Sequence, residues 1–180
     1  MIIPSQVDIP PSSCSPNAYL AFDYARFSAT LCALRDIKNG EEITITYIPD
    51  LTLDATKCQT ALGHFGFVCN CASCTNPSSE DLKRVIVQSV CPPSQSVTLA
   101  DHEKVLRESI KWIRAIEKEG LQVLPEYEAH LTAAATASLV LGNSKDHAKY
   151  TAIVDAWRRV VWGVPQQGLF RQSLFRVYEP

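Results

Sequence analysis

Three cysteines within six residues are the part of this chain best suited to chemistry. They are Cys69, Cys71 and Cys74, in the run CNCASC. Thiols crowded this closely do not suit an ordinary disulfide framework, but thiolates from one tight turn can approach a single zinc ion at about 2.3 Å. A closed structural zinc site needs four ligands, so a fourth must come from elsewhere in the chain. The best candidate by residue type is Cys14.

The composition is that of a globular protein without a strong charge. The chain has 180 residues, of which 46% are hydrophobic and 20% are charged, and its formal net charge is −2. Such a chain folds, and its charge gives nonspecific nucleic-acid binding little electrostatic support. No apolar run approaches the ~18 residues of a membrane span, and the first residues lack signal-peptide character. We therefore expect reduced cysteines, a nuclear or cytosolic location, and neither nucleic acid nor membrane as a partner.

The elements that must position these cysteines fall into two parts, which predicts an α+β protein. Residues 1–76 carry strand and turn signals together with the cysteine cluster. Residues 77–97 read as a linker with a short helix, and residues 98–180 have a helical pattern. The predicted domains are therefore a β-rich module that contains the metal site and a helical C-terminal region.

Within the first part, the sequence predicts three strands and a helix. Tyr19–Phe22 and Phe27–Leu34 are rich in β-branched, aromatic and apolar residues, which favours two strands. Residues 41–48 alternate with period two, which predicts a third strand. A short helix is expected over Leu53–Leu62, with Gly63 as its stop.

The second part predicts three antiparallel helices. Thr98 is a candidate cap for the first helix and Gly120 is its stop, while Pro125 suits the first turn of the second helix. Ser144 precedes the third helix, and Leu99 begins the apolar stripe of the first. The stacking of these helices resembles a TPR-like pair with a cap. The region either supports the metal module or forms a wall that helps to select a protein substrate.

Three segments, in this order, resemble the C-terminal half of a SET domain with its post-SET cysteines. They are CSPNA from residue 14, LRDIKNGEEITITY from residue 34 and FGFVCNCASC from residue 65. The resemblance covers roughly residues 12–76 and is greatest to fungal SET proteins and the SMYD lysine methyltransferases. It implies a small β-sheet folded around a knot-like crossing of the chain. It also implies methyl transfer from S-adenosylmethionine to a lysine ε-amine of a histone or another protein.

The resemblance also assigns roles to particular residues. Tyr47 matches the catalytic tyrosine, and Phe65 matches an aromatic wall of the substrate channel. Ser13, Asn17 and Phe67 match positions on the cofactor side. The alternatives are that Tyr47 is an aromatic residue packing at a strand end and that the two phenylalanines anchor the cysteine cluster to the sheet. Asn17 could equally serve as a turn residue.

For the metal, the resemblance implies a structural zinc site formed by Cys14 and the three clustered cysteines, Cys69, Cys71 and Cys74. Such a site would be closed to water and would not catalyse. The alternatives are a site completed by Cys58 or His64, or a set of reduced surface thiols without a metal.

The sequence departs from the family pattern on the cofactor side. Pro11 and Ser12 stand where the family has the Asn and His that contact the cofactor, and a Gly-x-Gly cofactor loop is not found. Proline cannot donate a backbone hydrogen bond, and serine is too short to replace histidine. We therefore expect a truncated lysine methyltransferase that binds little cofactor by itself. The alternative is a non-catalytic, zinc-stabilised module for protein interaction.

Overall fold

The computed structural model describes residues 9–23, 27–75, 85–89 and 98–162. The predicted linker falls mostly outside these residues, as does the end of the helical region. The elements are two strands, two short helices and three long helices. In chain order they are β1 (Ala18–Asp23), β2 (Ser28–Ala33), α1 (Ala55–Leu62), α2 (Ala72–Thr75), α3 (Leu99–Lys118), α4 (Pro125–Val140) and α5 (Ser144–Val161). Residues 85–88 are also helical.

The two strands form an antiparallel hairpin. Ala18 lies opposite Ala33 and Asp23 lies opposite Ser28, so the two predicted strands are confirmed with small changes at their ends. The predicted third strand is wrong, because residues 41–48 make only an isolated parallel bridge, between Ile45 and Ser12. Alternating side chains indicate an extended backbone, but a strand also needs a neighbour along its length. Here the extended segment instead bonds to the chain before β1.

Helix α1 is capped by an aspartate, begins two residues later than predicted and ends at Leu62, as predicted. The side chain of Asp54 accepts a hydrogen bond from the Lys57 N–H, which satisfies one of the free donors at the helix start. Gly63 is the C-cap of α1, as predicted, and the chain continues from it into a 3₁₀ turn over Gly63–Phe65. The turn ends at Gly66, whose φ of 74° is one that glycine adopts without strain. This turn sets the direction of the segment that leads to the cysteine cluster.

The ends of the long helices follow the sequence closely. Thr98 forms a capping box with Asp101 at the start of α3, and Pro125 occupies the first turn of α4. Gly120 follows α3 with a φ of 67°. The prediction for α5 was wrong by one residue, because Asn143 is the cap and Ser144 is already helical. An asparagine amide can accept the same bond as a serine hydroxyl, so sequence alone does not separate them.

One cluster of buried side chains extends from the cysteine region to the helices. Leu62 belongs to it on one side, and Ile116 and Leu131 belong to it on the other. Leu99 does not, since 64% of it is exposed, so the apolar stripe of α3 starts later than predicted. Among the described residues, no helix has both the length and the apolar character needed to cross a membrane.

A polar contact also joins the two parts. The Ser15 hydroxyl lies 2.8 Å from the Glu119 carbonyl oxygen and 3.1 Å from that of Gly120. A Cβ atom on Gly120 would lie 2.9 Å from the Ser15 hydroxyl oxygen, closer than real Cβ contacts. Position 120, two residues after the end of α3, is therefore glycine for two reasons, its φ angle and this close approach. The contact fixes the segment that carries Cys14 against the end of α3.

Candidate metal centre and aromatic cluster

Four cysteine sulfur atoms come together at one point in the structure. The Sγ atoms of Cys14, Cys69, Cys71 and Cys74 all lie within 4.8 Å of one another, and those of Cys14 and Cys74 are 3.5 Å apart. Ligands at about 2.3 Å around a tetrahedral zinc ion would be about 3.8 Å apart, whereas bonded disulfide sulfurs are only about 2.05 Å apart. The arrangement therefore fits a metal ion and not a disulfide.

The ligand candidates come from three places in the chain. Cys14 lies just before β1, Cys69 follows the 3₁₀ turn, and Cys71 and Cys74 enclose the start of α2. The Cys74 N–H donates to the Cys71 carbonyl at 3.0 Å, which forms the tight turn between them. The Cys14 N–H lies 3.4 Å from the Cys71 sulfur, so it can donate to a thiolate there. Cys58, an alternative fourth ligand at the sequence level, is not among the four.

The thiols perturb one another because they are crowded and partly buried. Hydrogen bonding from Cys14 lowers the pKa of Cys71 to about 4. Burial raises the pKa of Cys74 to about 12. Hydrogen bonding with the Cys58 and Cys71 thiols, together with burial, also raises the pKa of Cys14. Several thiolates cannot share this space without a compensating charge, and a divalent cation would supply that charge and deprotonate its ligands.

An aromatic cluster lies beside the metal centre. The ring centroid of Tyr47 is 5.3 Å from that of Phe65, at an interplanar angle of 55°, and 6.0 Å from that of Phe67, at 85°. These tilted and edge-to-face arrangements are the ones aromatic pairs prefer. Phe65 is 55% exposed, so the cluster opens to solvent on its side. The structure thus brings together the residues matched to the catalytic tyrosine, the channel wall and the cofactor side, and these roles stay predictions.

The hydroxyl of Tyr47 is held in place by the chain before β1. It donates a hydrogen bond of 2.8 Å to the Pro10 carbonyl, and the Tyr47 N–H donates to the Ser12 hydroxyl at 3.3 Å. A phenol that donates its only hydrogen can still accept through its oxygen. The Tyr47 hydroxyl can therefore accept a hydrogen bond from an incoming N–H group.

Asn17 is 2% exposed and is bonded through both ends of its amide. Its Nδ2 donates to the Glu41 carboxylate at 3.0 Å and to the Glu42 carbonyl at 2.8 Å, while its Oδ1 accepts from the Thr44 N–H at 2.8 Å. Arg35 contacts the same Glu41 carboxylate and, as the largest cause, lowers the pKa of that group to about 2. The network gives Asn17 the loop-fixing contacts expected of a turn residue.

The predicted cofactor side is only partly available. The Ser13 hydroxyl oxygen accepts from the Ser15 N–H at 3.1 Å, and the amide of Asn17 is occupied as described. Pro11 has no N–H to donate. The half-buried ring of Phe67 can still pack against a flat group. The described residues by themselves therefore do not fit S-adenosylmethionine, and the cofactor roles of Ser13, Asn17 and Phe67 stay predictions.

One residue that contacts the metal centre was not identified from the sequence. Gln59 of α1 lies ten residues before Cys69, and its side-chain amide bonds to the Cys69 backbone at both ends. A polar residue on a short helix has no spacing signal that would mark it. A helix immediately before a ligand-bearing turn is the single hint that the sequence offers.

Comparisons with known proteins match part of the chain. Residues 6–48 match the SET domain family. The chain is 44% identical over 63 residues to histone-lysine N-methyltransferase set5 of Schizosaccharomyces pombe, which is 34% of this chain and 19% of the relative. It is 42% identical over 62 residues to histone-lysine N-methyltransferase ATXR4 of Arabidopsis thaliana, 34% of this chain and 18% of the relative.

A third relative is matched over more of the chain. N-lysine methyltransferase SMYD2-B of Danio rerio is 29% identical over 102 residues, 57% of this chain and 21% of the relative. The chain thus spans about a fifth of the length of these curated relatives. Residues 6–48 match the SET domain family, and the chain is similar to proteins named as histone-lysine or N-lysine methyltransferases, SMYD2-B among them.

Proposed function

We propose that this chain acts in protein-lysine methylation and that its described residues form the lysine-facing side of the site. The observation that carries the proposal is the cluster of Tyr47, Phe65 and Phe67. It lies where sequence matching the SET domain meets the four-cysteine centre. The similar proteins are named as histone-lysine or N-lysine methyltransferases. The proposed substrate is a lysine of a histone or another protein, and the proposed methyl donor is S-adenosylmethionine.

The lysine side can be understood from the geometry of Tyr47. Its hydroxyl is fixed by the bond to the Pro10 carbonyl, so its oxygen has a defined position from which to accept an amine N–H. A neutral amine held in one orientation loses less entropy on reaction than a free one. The rings of Phe65 and Phe67 present apolar surface to the methylene chain of a lysine and exclude water from it. Donor contacts would have to come in part from outside the described residues.

The metal part of the proposal is one structural Zn²⁺ ion held by Cys14, Cys69, Cys71 and Cys74. Four thiolates leave no open position on the ion, so it would not catalyse. Its contribution would be to fix the end of the segment that carries the two phenylalanines. Thiolate ligands also favour zinc over the hard cations magnesium and calcium.

The remaining parts of the proposal concern architecture and location. We assign residues 1–76 to the partial SET domain with its zinc module and residues 98–180 to the helical region, joined by residues 77–97. Helices α3, α4 and α5 pack in sequence, α3 on α4 and α4 on α5, which is compatible with a TPR-like arrangement. They would support the metal module or form a wall beside the substrate. The proposed location is the nucleus, the cytoplasm or both.

A second candidate function is a non-catalytic, zinc-stabilised module for protein interaction. Two observations favour it. Pro11 has no N–H to offer at a position where the family contacts the cofactor, and the amide of Asn17 is already fully bonded within the protein. In this case the aromatic cluster would bind a partner without methyl transfer.

Methyl transfer from radiolabelled S-adenosylmethionine to a histone mixture separates the two candidates. The first candidate requires the chain to transfer label to lysine and the Tyr47→Phe variant to lose roughly 100-fold or more of that activity, as when one oriented polar group is removed from an active site. Tyr19→Phe, in β1 and outside the aromatic cluster, is the matched control and should keep the activity. Calorimetry with the same donor reports binding. Absence of both binding and transfer from a zinc-loaded protein would contradict the first candidate and favour the second.

A further inference from the structure

Gln59 bonds to a metal-ligand candidate with both ends of its side chain. Its Nε2 donates to the Cys69 carbonyl at 2.6 Å, and its Oε1 accepts from the Cys69 N–H at 2.9 Å. A side-chain amide that pairs with both backbone groups of one residue fixes that residue in position and in rotation. Most glutamines on a helix surface face water, so this pairing is specific to the local path of the chain.

The neighbouring residue on α1 contacts the centre as well. Cys58 is 1% exposed, its thiol lies 3.5 Å from the Leu53 carbonyl oxygen, and it belongs to the same buried cluster as Cys14. Consecutive residues of α1 are therefore linked to two ligand candidates, Gln59 to Cys69 by hydrogen bonds and Cys58 to Cys14 through the shared cluster. These two ligand candidates are 55 positions apart in the chain, so α1 helps to set their relative position.

The Gln59 pairing also closes a loop. Residues 60–68 lie between the two bonded residues and comprise the end of α1, the 3₁₀ turn and the segment that leads to Cys69. Both phenylalanines of the aromatic cluster, Phe65 and Phe67, lie on this loop. Without the Gln59 pairing, the loop would be held by the cysteine centre, by the packing of Phe67 against the buried cluster and by the ring contacts with Tyr47.

We propose that Gln59 is a positioning residue for the metal centre and that it couples metal binding to the placement of Phe65 and Phe67. The inference rests on the proposed zinc site. Groups that hydrogen-bond to metal ligands orient them, and their loss typically weakens metal affinity by about 10–100-fold. Gln59 does this through the backbone of the ligand residue, which leaves the Cys69 sulfur free for the metal.

The test is metal affinity of the 180-residue chain, measured by competition with a chromophoric zinc chelator. Gln59→Met keeps the size of the side chain and removes both hydrogen bonds, and we expect it to weaken zinc binding by about 10–100-fold. Gln59→Glu keeps the bond from the Cys69 N–H and loses the one to the carbonyl, so its affinity should be intermediate. Thr60→Ala, the next residue, removes a bond within α1 to the Thr56 carbonyl and is the matched control. It should bind zinc as the unsubstituted chain does.

A second readout reports geometry rather than stability. Cobalt substituted into four thiolates gives visible absorption bands that depend on ligand arrangement, and we expect these bands to shift in Gln59→Met and to stay in Thr60→Ala. If Gln59→Met does not fold, hydrogen exchange on the unsubstituted chain tests whether metal binding is coupled to the loop that carries Phe65 and Phe67. Removing zinc should then speed exchange across residues 60–69.

The outcomes separate this inference from the proposal on which it rests. If the unsubstituted chain binds no zinc, the metal site and the role of Gln59 both fail. If it binds zinc and Gln59→Met binds equally well with the same cobalt spectrum, only the role of Gln59 fails. Unchanged exchange over residues 60–69 after zinc removal would overturn the coupling to the phenylalanines.

Discussion

The cysteine-bearing region and the helical region are stabilised by different interactions. In residues 9–75, buried apolar side chains such as Leu51 and Leu62 are supplemented by the four thiols, the amide of Asn17 and the paired amide of Gln59. The hairpin of this region leaves Leu20 and Phe22 substantially exposed. In α3, α4 and α5, apolar side chains fill the space between helices, as the buried Ile116, Leu131 and Trp157 show.

This difference indicates how each region fails. A region whose fold depends on a metal loses that fold when one ligand set is removed, because metal binding supplies part of its folding free energy. A region held by many apolar contacts loses stability gradually as its core is cut back. The hydrogen bonds from Ser15 to the end of α3 join the regions without making their stabilisation alike.

The largest effect should come from removing the metal. A chelator should abolish hydrogen-exchange protection in residues 9–75 while α3–α5 keep theirs, since structural zinc supplies on the order of 10 kcal/mol in small zinc domains. Exchange measured by mass spectrometry reads the two regions in one experiment. Equal loss in both regions would show that the metal stabilises the whole chain, and loss in neither would show that residues 9–75 do not depend on it.

A smaller effect, in the helical region, should follow from truncating a buried side chain of its core. Leu131 is fully buried, so Leu131→Ala should reduce the free energy of unfolding by about 2–5 kcal/mol. Leu139→Ala on the same helix is the matched control, because Leu139 is 59% exposed and its loss should cost under about 0.5 kcal/mol. Thermal and denaturant unfolding give both values. A lower zinc stoichiometry in Leu131→Ala would contradict the claim that the two regions are stabilised by different interactions.

The sequence predicts local features of the fold better than it predicts which segments lie side by side. The hairpin strands, the capping box at Thr98 and the glycine after α3 are each set by a few neighbouring residues, and they occur as expected. The third strand failed because alternation over residues 41–48 gives no information on which segment lies alongside it. The end of α1 at Gly63 also occurs as expected, but the 3₁₀ turn that follows it and ends at Gly66 was not predicted.

The candidate site divides in the same way. Cys69, Cys71 and Cys74 could be grouped from their spacing, since ligands on one turn reach one ion. Cys14 could be named by residue type and by resemblance, but its approach to Cys74 is a property of the folded chain. Gln59 could not be predicted at all, because its contact with Cys69 depends on the path of the intervening loop.

The most direct measurement is X-ray absorption at the zinc edge on the purified, tag-free chain. One zinc ion per chain with four sulfur neighbours at about 2.3 Å is the predicted result. Mutating Cys14 to serine should reduce the sulfur count by one. A preparation without stoichiometric zinc, or zinc ligands that are mostly nitrogen or oxygen, would contradict the proposal that a four-cysteine zinc site stabilises residues 9–75.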